Sequence, residues 1–190
     1  MNIGIDVDGV LIDFEERFRY KAEMFDFLER NNVEIKDKNS YVIEEKYNWD
    51  VNDWNKFADK YLIQLTKESN LIPGAKEVFN LLKNDNHKLY LISARGSELD
   101  DMITIINEKL KKEGLIFDKY FWKIKNKLEV VNDENVDVMI DDNPNTCKKL
   151  ADGKVKTMYF RNAYGEKLNE SQYLIEVKNW GEIYRYIKRI

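Results

Sequence analysis

Short apolar segments alternate with amphipathic helical patterns along most of this 190-residue chain. Four of the apolar segments have the length and composition of buried β-strands, namely NIGI, KLYLIS, VDVMID and VKTMYF. Between them, apolar residues return every three or four positions in GAKEVFNLLKND, SELDDMITIINEKLKKEG and NPNTCKKLAD. Strands that alternate with helices of this length are joined by right-handed crossovers into a parallel sheet covered on both faces. The sequence therefore predicts an α/β fold with a Rossmann-like parallel sheet.

Residues 14–71 interrupt this alternation. They are rich in Glu, Lys and aromatic residues, and their pattern is helical throughout. We predict that they form a small helical domain inserted after the first strand, and that residues 1–13 and 72–190 form the α/β core domain. Because such an insert is attached by two connections, it could close over a site and expel water.

Two helical patterns in the core have well-defined apolar stripes. One stripe contains Leu99, Met102, Ile103, Ile106 and Leu110, and Gly114 is expected to end that helix. The other contains Trp180, Ile183, Tyr184 and Ile187, and it predicts a terminal helix that closes the sheet.

Ligands of open α/β sheets bind at the carboxyl ends of the strands, so the chemistry of the chain is expected there. Polar residues stand at this edge after three of the predicted strands: Asp6 and Asp8, then Ser93 and Arg95, then Asp141, Asp142 and Asn143. Clustered carboxylates repel one another and raise their pKa values unless a cation lies between them. Hard oxygen ligands without His or Cys favour Mg²⁺, which often bridges carboxylates to a phosphate. We therefore predict a metal-assisted phosphate site, with Asp6, Asp8, Asp141 and Asp142 as its metal carboxylates.

The first pair of acidic residues is expected to carry the reaction. The chain leaves its strand at Gly9, so Asp6 and Asp8 can both point into one pocket, with the Val7 carbonyl between them free to bind the metal. Asp6 would be the nucleophile and form an aspartyl-phosphate. Asp8 would protonate the leaving alcohol and then activate the water that cleaves the intermediate.

The remaining polar residues at this edge would bind the metal and the phosphate. Ser93 and the backbone N–H of Ala94 would hold phosphate oxygens, and the alternative for Ser93 is a cap of the following helix. Asp142 has three alternatives: a second metal ligand, an orienting group, or the N-cap of a helix that begins with Pro144. A lysine is also needed to hold the nucleophile and the phosphate together against their mutual repulsion.

Composition excludes several classes of partner. The net charge is −4, from 31 basic and 35 acidic residues spread along the whole chain, so no basic stripe is available for polymeric nucleic acid. Cys147 is the single cysteine, which excludes an internal disulfide, and no Cys/His cluster indicates zinc. No apolar run is long enough to span a membrane. We predict a cytoplasmic protein with a small-molecule phosphomonoester substrate, either a monomer or a homodimer.

Four segments resemble the motifs of haloacid dehalogenase superfamily phosphohydrolases: DVDGV, LISAR, a lysine ahead of the last acidic strand, and MIDDNP. Their order, spacing and strand placement agree with that family over residues 5–144. The resemblance implies Asp6 as nucleophile, Asp8 as acid/base, Ser93 and Lys127 as phosphate ligands and Asp141 as a magnesium ligand. It also implies that the helical insert is a C1-type cap.

Three lysines compete for the role of the motif lysine. Lys123, Lys125 and Lys127 all lie in FWKIKNKLEVV. We choose Lys127, because it opens the helix that leads to the strand at 136–140 and lies fourteen residues before Asp141.

Within the superfamily, DVDGVLIDF and the position of the cap look most like the 5'(3')-deoxyribonucleotidases and related nucleotidases. Arg95, in SAR, departs from these nucleotidases and is expected to contact the substrate, for instance a second phosphate or a carboxylate. The cap carries many aromatic residues, of which Phe14 is expected to face the site, because it adjoins the first motif. Most of the others are expected to form the core of the cap.

Three functions agree with these features. The first is a Mg²⁺-dependent phosphatase of nucleoside monophosphates, and the second is a phosphatase of a sugar phosphate or another small metabolite. The third is a binding module that keeps the fold without turnover. The presence of Asp6, Asp8, Ser93, Asp141 and a lysine disfavours the third.

Overall fold

A six-stranded parallel β-sheet forms the centre of the computed structural model, which describes residues 1–38, 40–96, 101–163 and 165–190. The strands are β1 (Asn2–Ile5), β2 (Lys88–Ile92), β3 (Lys119–Phe121), β4 (Val138–Asp141), β5 (Lys156–Phe160) and β6 (Leu174–Val177). Their order across the sheet is β3-β2-β1-β4-β5-β6, and each neighbouring pair is parallel. The predicted α/β fold is confirmed.

All four predicted strands are present, and the structure adds β3 and β6 at the two edges of the sheet. β3 has three residues, none of them fully buried, and the middle of β6 is half-buried. Short, partly exposed edge strands lack the continuous apolar run that identifies a central strand in a sequence. For this reason the sequence pattern missed both.

The sheet register places the first acidic motif at the centre of the carboxyl edge. Ile5 of β1 pairs with Leu91 of β2 on one side and with Ile140 of β4 on the other. The next residue, Asp6, still donates its backbone N–H to the Ile140 carbonyl at 3.0 Å. Asp6 therefore leaves the sheet between the two strands that carry the other polar motifs.

The segment between β1 and β2 begins with a run of helices. These are α1 (Phe14–Leu28), α2 (Ile43–Tyr47), α3 (Val51–Phe57) and α4 (Ile63–Glu68), with a π-helical turn over Ala58–Leu62 between α3 and α4. Phe57 is fully buried among other rings, at centroid distances of 5.2–5.5 Å from Phe18, Phe25, Trp49 and Tyr61. Most aromatic residues of this segment thus form its core, as predicted.

The two ends of this helical segment run side by side. The Asp13 N–H donates to the Asn70 carbonyl at 2.9 Å, and the Ile72 N–H donates to the Leu11 carbonyl at 2.8 Å. These hydrogen bonds pair the chain that enters the helical segment with the chain that leaves it, so both connections to the core lie side by side. We propose on this basis that residues 14–71 form a cap domain and that 1–13 and 72–190 form the core domain.

The helices of the remaining chain are α5 (Ala75–Asn84), α6 (Asp101–Lys112), α7 (Lys127–Asp133), α8 (Pro144–Asp152) and α9 (Trp180–Ile187). Alternate residues of β2 enter two separate apolar clusters, with Leu89 and Leu91 in one and Tyr90 and Ile92 in the other. Both faces of the sheet are therefore covered. No helix of the described ranges is both long and apolar enough to cross a membrane.

The two apolar stripes lie as predicted where the structure describes them. On α6, Met102, Ile106 and Leu110 are buried, whereas Leu99 lies outside the described residues. Gly114 follows the helix with a φ of 78°, which suits glycine best. On α9, Trp180 is fully buried and its indole N–H donates to the Val10 carbonyl at 2.9 Å. This bond anchors the loop that follows β1.

Candidate active site

The loop after β1 turns sharply at Gly9, which has a φ of 69°. A Cβ atom at Gly9 would lie only 2.0 Å from Oδ2 of Asp142. Glycine is needed here for two reasons, the left-handed backbone and the close approach of a carboxylate. The turn brings the acidic motif after β1 against the acidic motif after β4.

Lys127 bridges these two motifs. Its Nζ lies 2.8 Å from Oδ1 of Asp6 and 2.6 Å from Oδ2 of Asp141. Lys127 is buried at the first position of α7, whereas Lys123 and Lys125 are exposed. The structure thus places Lys127, of the three candidate lysines, beside the acidic residues.

Burial and the charges of the neighbouring groups together set the pKa values in this bridge. Burial raises the pKa of Asp141 to about 6, against the opposing effect of Lys127, and the Asp6 charge adds to the rise. Burial also works to lower the pKa of Lys127, but the two carboxylates outweigh it and raise that pKa above its ordinary value. Lys127 is therefore a permanent cation between two carboxylates.

Three carboxylates could hold a metal ion at this edge. Asp6, Asp141 and Asp142 each present an oxygen atom, and these atoms lie within 4.8 Å of one another. All three residues are buried. Such a set of hard oxygen donors is suited to Mg²⁺.

Two details of the predicted metal shell differ in the structure. Asp8 is not part of the carboxylate cluster, because its side chain faces Arg95. The Val7 carbonyl is not free, because it accepts the N–H groups of Leu11 and Ile12 at 2.9 and 3.0 Å. The prediction for Val7 was wrong because the turn after β1 folds back on this carbonyl and uses its lone pairs.

Asp142 is held by side chains and does not cap α8. Its Oδ2 accepts from the Tyr41 hydroxyl at 3.0 Å and from the Asn162 amide at 3.1 Å. The N-cap of α8 is Asn143, whose Oδ1 accepts from the N–H groups of residues 145 and 146. Burial, reinforced by the charge of Glu15, raises the pKa of Asp142 well above its ordinary value. The alternative of Asp142 as a helix cap is therefore wrong.

Asp8 forms a two-point ion pair with Arg95. Nε of Arg95 donates to Oδ2 of Asp8 at 2.8 Å, and Nη2 donates to Oδ1. Nη1 donates to Oγ1 of Thr66 at 2.8 Å, and the guanidinium carbon lies 4.1 Å from the centroid of the Phe14 ring. Burial raises the pKa of Asp8 although Arg95 opposes the shift.

Ser93 and Ala94 connect the end of β2 to Arg95. Ser93 is buried, and its Oγ accepts the Arg95 N–H at 3.2 Å. Its backbone is held by Phe121 and Ile124 of the neighbouring strand and the loop that follows it, with N···O distances of 2.9 Å each. Ala94 is exposed and lines the cleft beside Asp8. The Ser93 hydroxyl thus helps to hold the loop after β2, and the residues that directly precede α6, where a cap would lie, are outside the described ranges.

A cleft of about 350 Å³ opens between the helical segment and this edge of the sheet. The helical segment contributes Phe14, Glu15, Phe18, Trp54 and Leu62, and the core contributes Asp8, Ala94, Arg95, Met102 and Asn143. The expectation that Phe14 faces the site agrees with this lining. One wall is aromatic and the other is polar.

Several residues of the site have no sequence signal. Tyr41 and Thr66 reach the site from the helical segment, and Asn162 reaches it from the loop after β5. None of them belongs to a motif or stands at a position marked by periodicity. Only Glu15 could have been suspected, because it directly follows Phe14.

Comparison with known proteins agrees with this arrangement. No protein-family model matches the chain. A nucleotidase of Clostridium acetobutylicum is 26% identical over 100% of this chain and 95% of its own length. A haloacid dehalogenase-like hydrolase from Streptococcus pneumoniae has the same fold, with a TM-score of 0.72 and 16% identity over 98% of this chain and 97% of its own.

A second solved structure, a "predicted phosphatase" from Clostridium acetobutylicum, gives a TM-score of 0.70 at 16% identity and covers 100% of this chain and 99% of its own. The likeness therefore extends over the sheet and the helical segment together. The chain therefore has the fold of a haloacid dehalogenase-like hydrolase and is similar over its whole length to a nucleotidase.

Proposed function

We propose that the protein is a Mg²⁺-dependent phosphomonoesterase that hydrolyses nucleoside monophosphates through an aspartyl-phosphate on Asp6. The observation that carries this proposal is the bridge of Lys127 between Asp6 and Asp141, beside the third carboxylate of Asp142. A nucleophilic carboxylate must meet an anionic phosphate, and a lysine cation and a group of carboxylates that could hold a metal ion lie beside Asp6.

The carboxylates fit a divalent cation. Asp6, Asp141 and Asp142 would hold it, since their carboxylate oxygens lie close together. Among the described residues, Lys127 is the one cation that pairs with Asp6 and Asp141, so these carboxylates have charge left to neutralise. When bound, Mg²⁺ would supply positive charge that offsets the repulsion between the carboxylates and the phosphate.

The chain's own residues account for each proton and bond. A carboxylate oxygen of Asp6 attacks phosphorus, and the bond from phosphorus to the alcohol oxygen breaks. Asp8 donates its proton to that oxygen, in keeping with a pKa that burial raises. Asp8 then takes a proton from water, the water oxygen attacks phosphorus, and the bond to Asp6 breaks to release inorganic phosphate.

The phosphate itself would be held at the strand ends. Lys127 supplies charge next to the nucleophile. In our proposal the Ser93 hydroxyl and the Ala94 N–H bind phosphate oxygens, since both belong to the loop that faces Asp8. The preorganised donors would lower the energy of the transition state more than that of the bound substrate.

The aromatic wall of the cleft supports a nucleotide as substrate. Phe14, Phe18 and Trp54 line the cleft beside Asp8, and Trp54 is half-buried, whereas the Phe14 and Phe18 rings are buried and stack on each other. A base that stacks on such rings gains roughly 1–3 kcal/mol. Similarity to a nucleotidase over the whole chain points in the same direction.

The test is phosphate release from a panel of nucleoside 5'- and 3'-monophosphates and sugar phosphates, with Mg²⁺ and with EDTA. Asp6→Asn is the blank, and Asp133→Asn, at an exposed position of α7, is the matched control. We expect turnover of nucleotides that EDTA and Asp6→Asn abolish. Turnover of sugar phosphates alone would assign a different substrate, and no turnover of any compound would refute the hydrolase.

The covalent intermediate has its own test. The leaving group of p-nitrophenyl phosphate needs no protonation, so Asp8→Asn should still release about one equivalent of nitrophenol per protein and then stop. Asp6→Asn should release none. Continuous turnover by Asp6→Asn would contradict the aspartyl-phosphate.

A further inference from the structure

Arg95 spans the boundary between the core and the helical segment. We propose that Arg95 is a positioning residue, which orients the Asp8 carboxylate and is itself held in place by Thr66 and Phe14 of the helical segment. The proposal rests on the proposed function, because it assigns Asp8 the acid/base role. It replaces the expectation that Arg95 binds the substrate.

The contact between Arg95 and Asp8 fixes an orientation as well as a charge. Two donors of one planar guanidinium meet the two oxygens of one carboxylate, from Nε to Oδ2 at 2.8 Å and from Nη2 to Oδ1. Such a paired contact restrains rotation of the carboxylate, which a single contact does not. The Arg95 side chain is only 1% exposed, so water does not compete for these donors.

The helical segment completes the environment of Arg95. Nη1 donates to Oγ1 of Thr66 at 2.8 Å, and the Thr66 hydroxyl donates in turn to the Leu62 carbonyl at 2.7 Å. The hydroxyl proton is thereby directed away from Arg95, and a lone pair is directed toward it. The Phe14 ring covers the guanidinium at 4.1 Å. Two contacts of Arg95 therefore exist only while the helical segment is seated on the core.

Helix α4, which carries Thr66, is itself held to the core. Nζ of Lys109 on α6 donates to the carbonyls of Thr66 at 3.2 Å, Lys67 at 3.0 Å and Ser69. A cation at the carboxyl end of a helix is also favoured by the helix dipole. Arg95 is thus attached to a fixed point of the helical segment, and Asp8 receives its orientation from both parts of the chain.

The alternative role, binding of an anionic group on the substrate, conflicts with this geometry. To reach a second phosphate, Arg95 would have to leave Asp8 and Thr66 and break three hydrogen bonds. The Asp8 carboxylate, whose side chain is only 26% exposed, would then lose its paired cation, which is unfavourable. A positioning role needs no such rearrangement.

The two roles make different kinetic predictions. If Arg95 orients Asp8, Arg95→Lys should lower kcat on a nucleoside monophosphate by about 10- to 100-fold, because lysine cannot make the paired contact. KM should stay within about twofold, since no substrate contact is lost. The burst of nitrophenol from p-nitrophenyl phosphate should keep its rate, because that leaving group needs no proton.

Thr66 provides an independent variant that keeps both charges. Thr66→Val should reduce kcat on the nucleotide about 3- to 10-fold through the lost hydrogen bond to Arg95, and Thr66→Ser should restore it. Arg185→Lys, at an exposed position of α9, is the matched control and should behave as wild type. Thr66→Val remains informative if Arg95→Lys fails to fold.

The outcomes separate this proposal from the proposed function. A wild-type protein without a burst or turnover would refute the function itself. With an active wild type, a raised KM at unchanged kcat in Arg95→Lys would show substrate binding and overturn the positioning role. Equal loss of the burst and of nucleotide turnover in Arg95→Lys or Thr66→Val would also overturn it, because protonation of the leaving group would not be the affected step.

Discussion

Replacement of Lys127 by methionine tests whether the bridge at the centre of the site is a charged one. Lys127→Met keeps the length of the side chain and removes the cation between Asp6 and Asp141. The side chains of Lys127, Asp6 and Asp141 are 7%, 9% and 0% exposed, so the carboxylates cannot recover hydration in place. Removal of one partner from such a buried pair costs about 3–5 kcal/mol. We expect that loss in the free energy of unfolding at pH 8 without metal.

The loss should depend on pH in a defined direction. The pKa of Asp141 is about 6, above the value of an unfolded chain, so the native protein binds the proton more tightly. Stability attached to this group is therefore present at low pH and is lost as pH rises through the native pKa. Without Lys127 that pKa rises further, so the variant continues to lose stability above pH 6. The difference between the two proteins should be widest at pH 8 and should narrow toward pH 5.5.

The assay is urea denaturation in EDTA at both pH values, followed by circular dichroism and tryptophan fluorescence. Lys125→Met, two residues away and exposed, is the matched control and should change the free energy of unfolding by less than about 0.5 kcal/mol. A loss in Lys127→Met no larger than that of the control would refute the buried bridge. An equal loss at pH 8 and pH 5.5 would refute the assignment of its energy to ionised carboxylates.

Three further predictions concern the neighbours of this bridge. Gly9→Ala and Gly114→Ala both place alanine at positive φ, which costs about 1–2 kcal/mol. The new Cβ atom at position 9 would lie 2.0 Å from a carboxylate oxygen of Asp142, whereas the Cβ atom at position 114 would enter open space. Gly9→Ala should therefore show the larger loss in urea denaturation and also lose activity, and equal losses would contradict the close approach. Tyr41→Phe leaves Oδ2 of Asp142 with one fewer donor and should cost about 1–3 kcal/mol in metal-free protein, so an unchanged unfolding midpoint would speak against this contact. Mg²⁺ should raise the melting temperature of the wild type but not of Asp141→Asn, and an equal rise in both would place the metal elsewhere.

Much of the core could be predicted from the sequence, because its signals are local. The buried strands are short apolar runs, and β1, β2, β4 and β5 were identified on that basis. The edge strands β3 and β6 were missed, since neither has such a run. The polar residues at the ends of three strands had to meet at one edge of a parallel sheet, and the structure brings Asp6, Asp141 and Lys127 within hydrogen-bonding distance.

Other features were decided by the tertiary structure alone. The partner of Asp8 is Arg95, 87 residues away, and the partner of Asp142 is Tyr41, 101 residues away. No spacing along the chain specifies such contacts, because the first joins two separate strand-end loops of the core and the second depends on how the helical segment packs on the core.

There is a physical reason why some features can be predicted from the sequence and others only from the tertiary structure. Periodicity and strand-end chemistry report which face of an element is buried and where a strand ends, and these properties belong to a few consecutive residues. The direction in which a carboxylate points depends on the hydrogen-bond donors that the folded chain brings close to it, and these donors come from distant positions in the sequence. The sequence alone therefore determined the fold and the place of the acidic residues, whereas packing decided that Asp8 pairs with Arg95, that Asn143 caps α8 and that the Val7 carbonyl is used by its own turn.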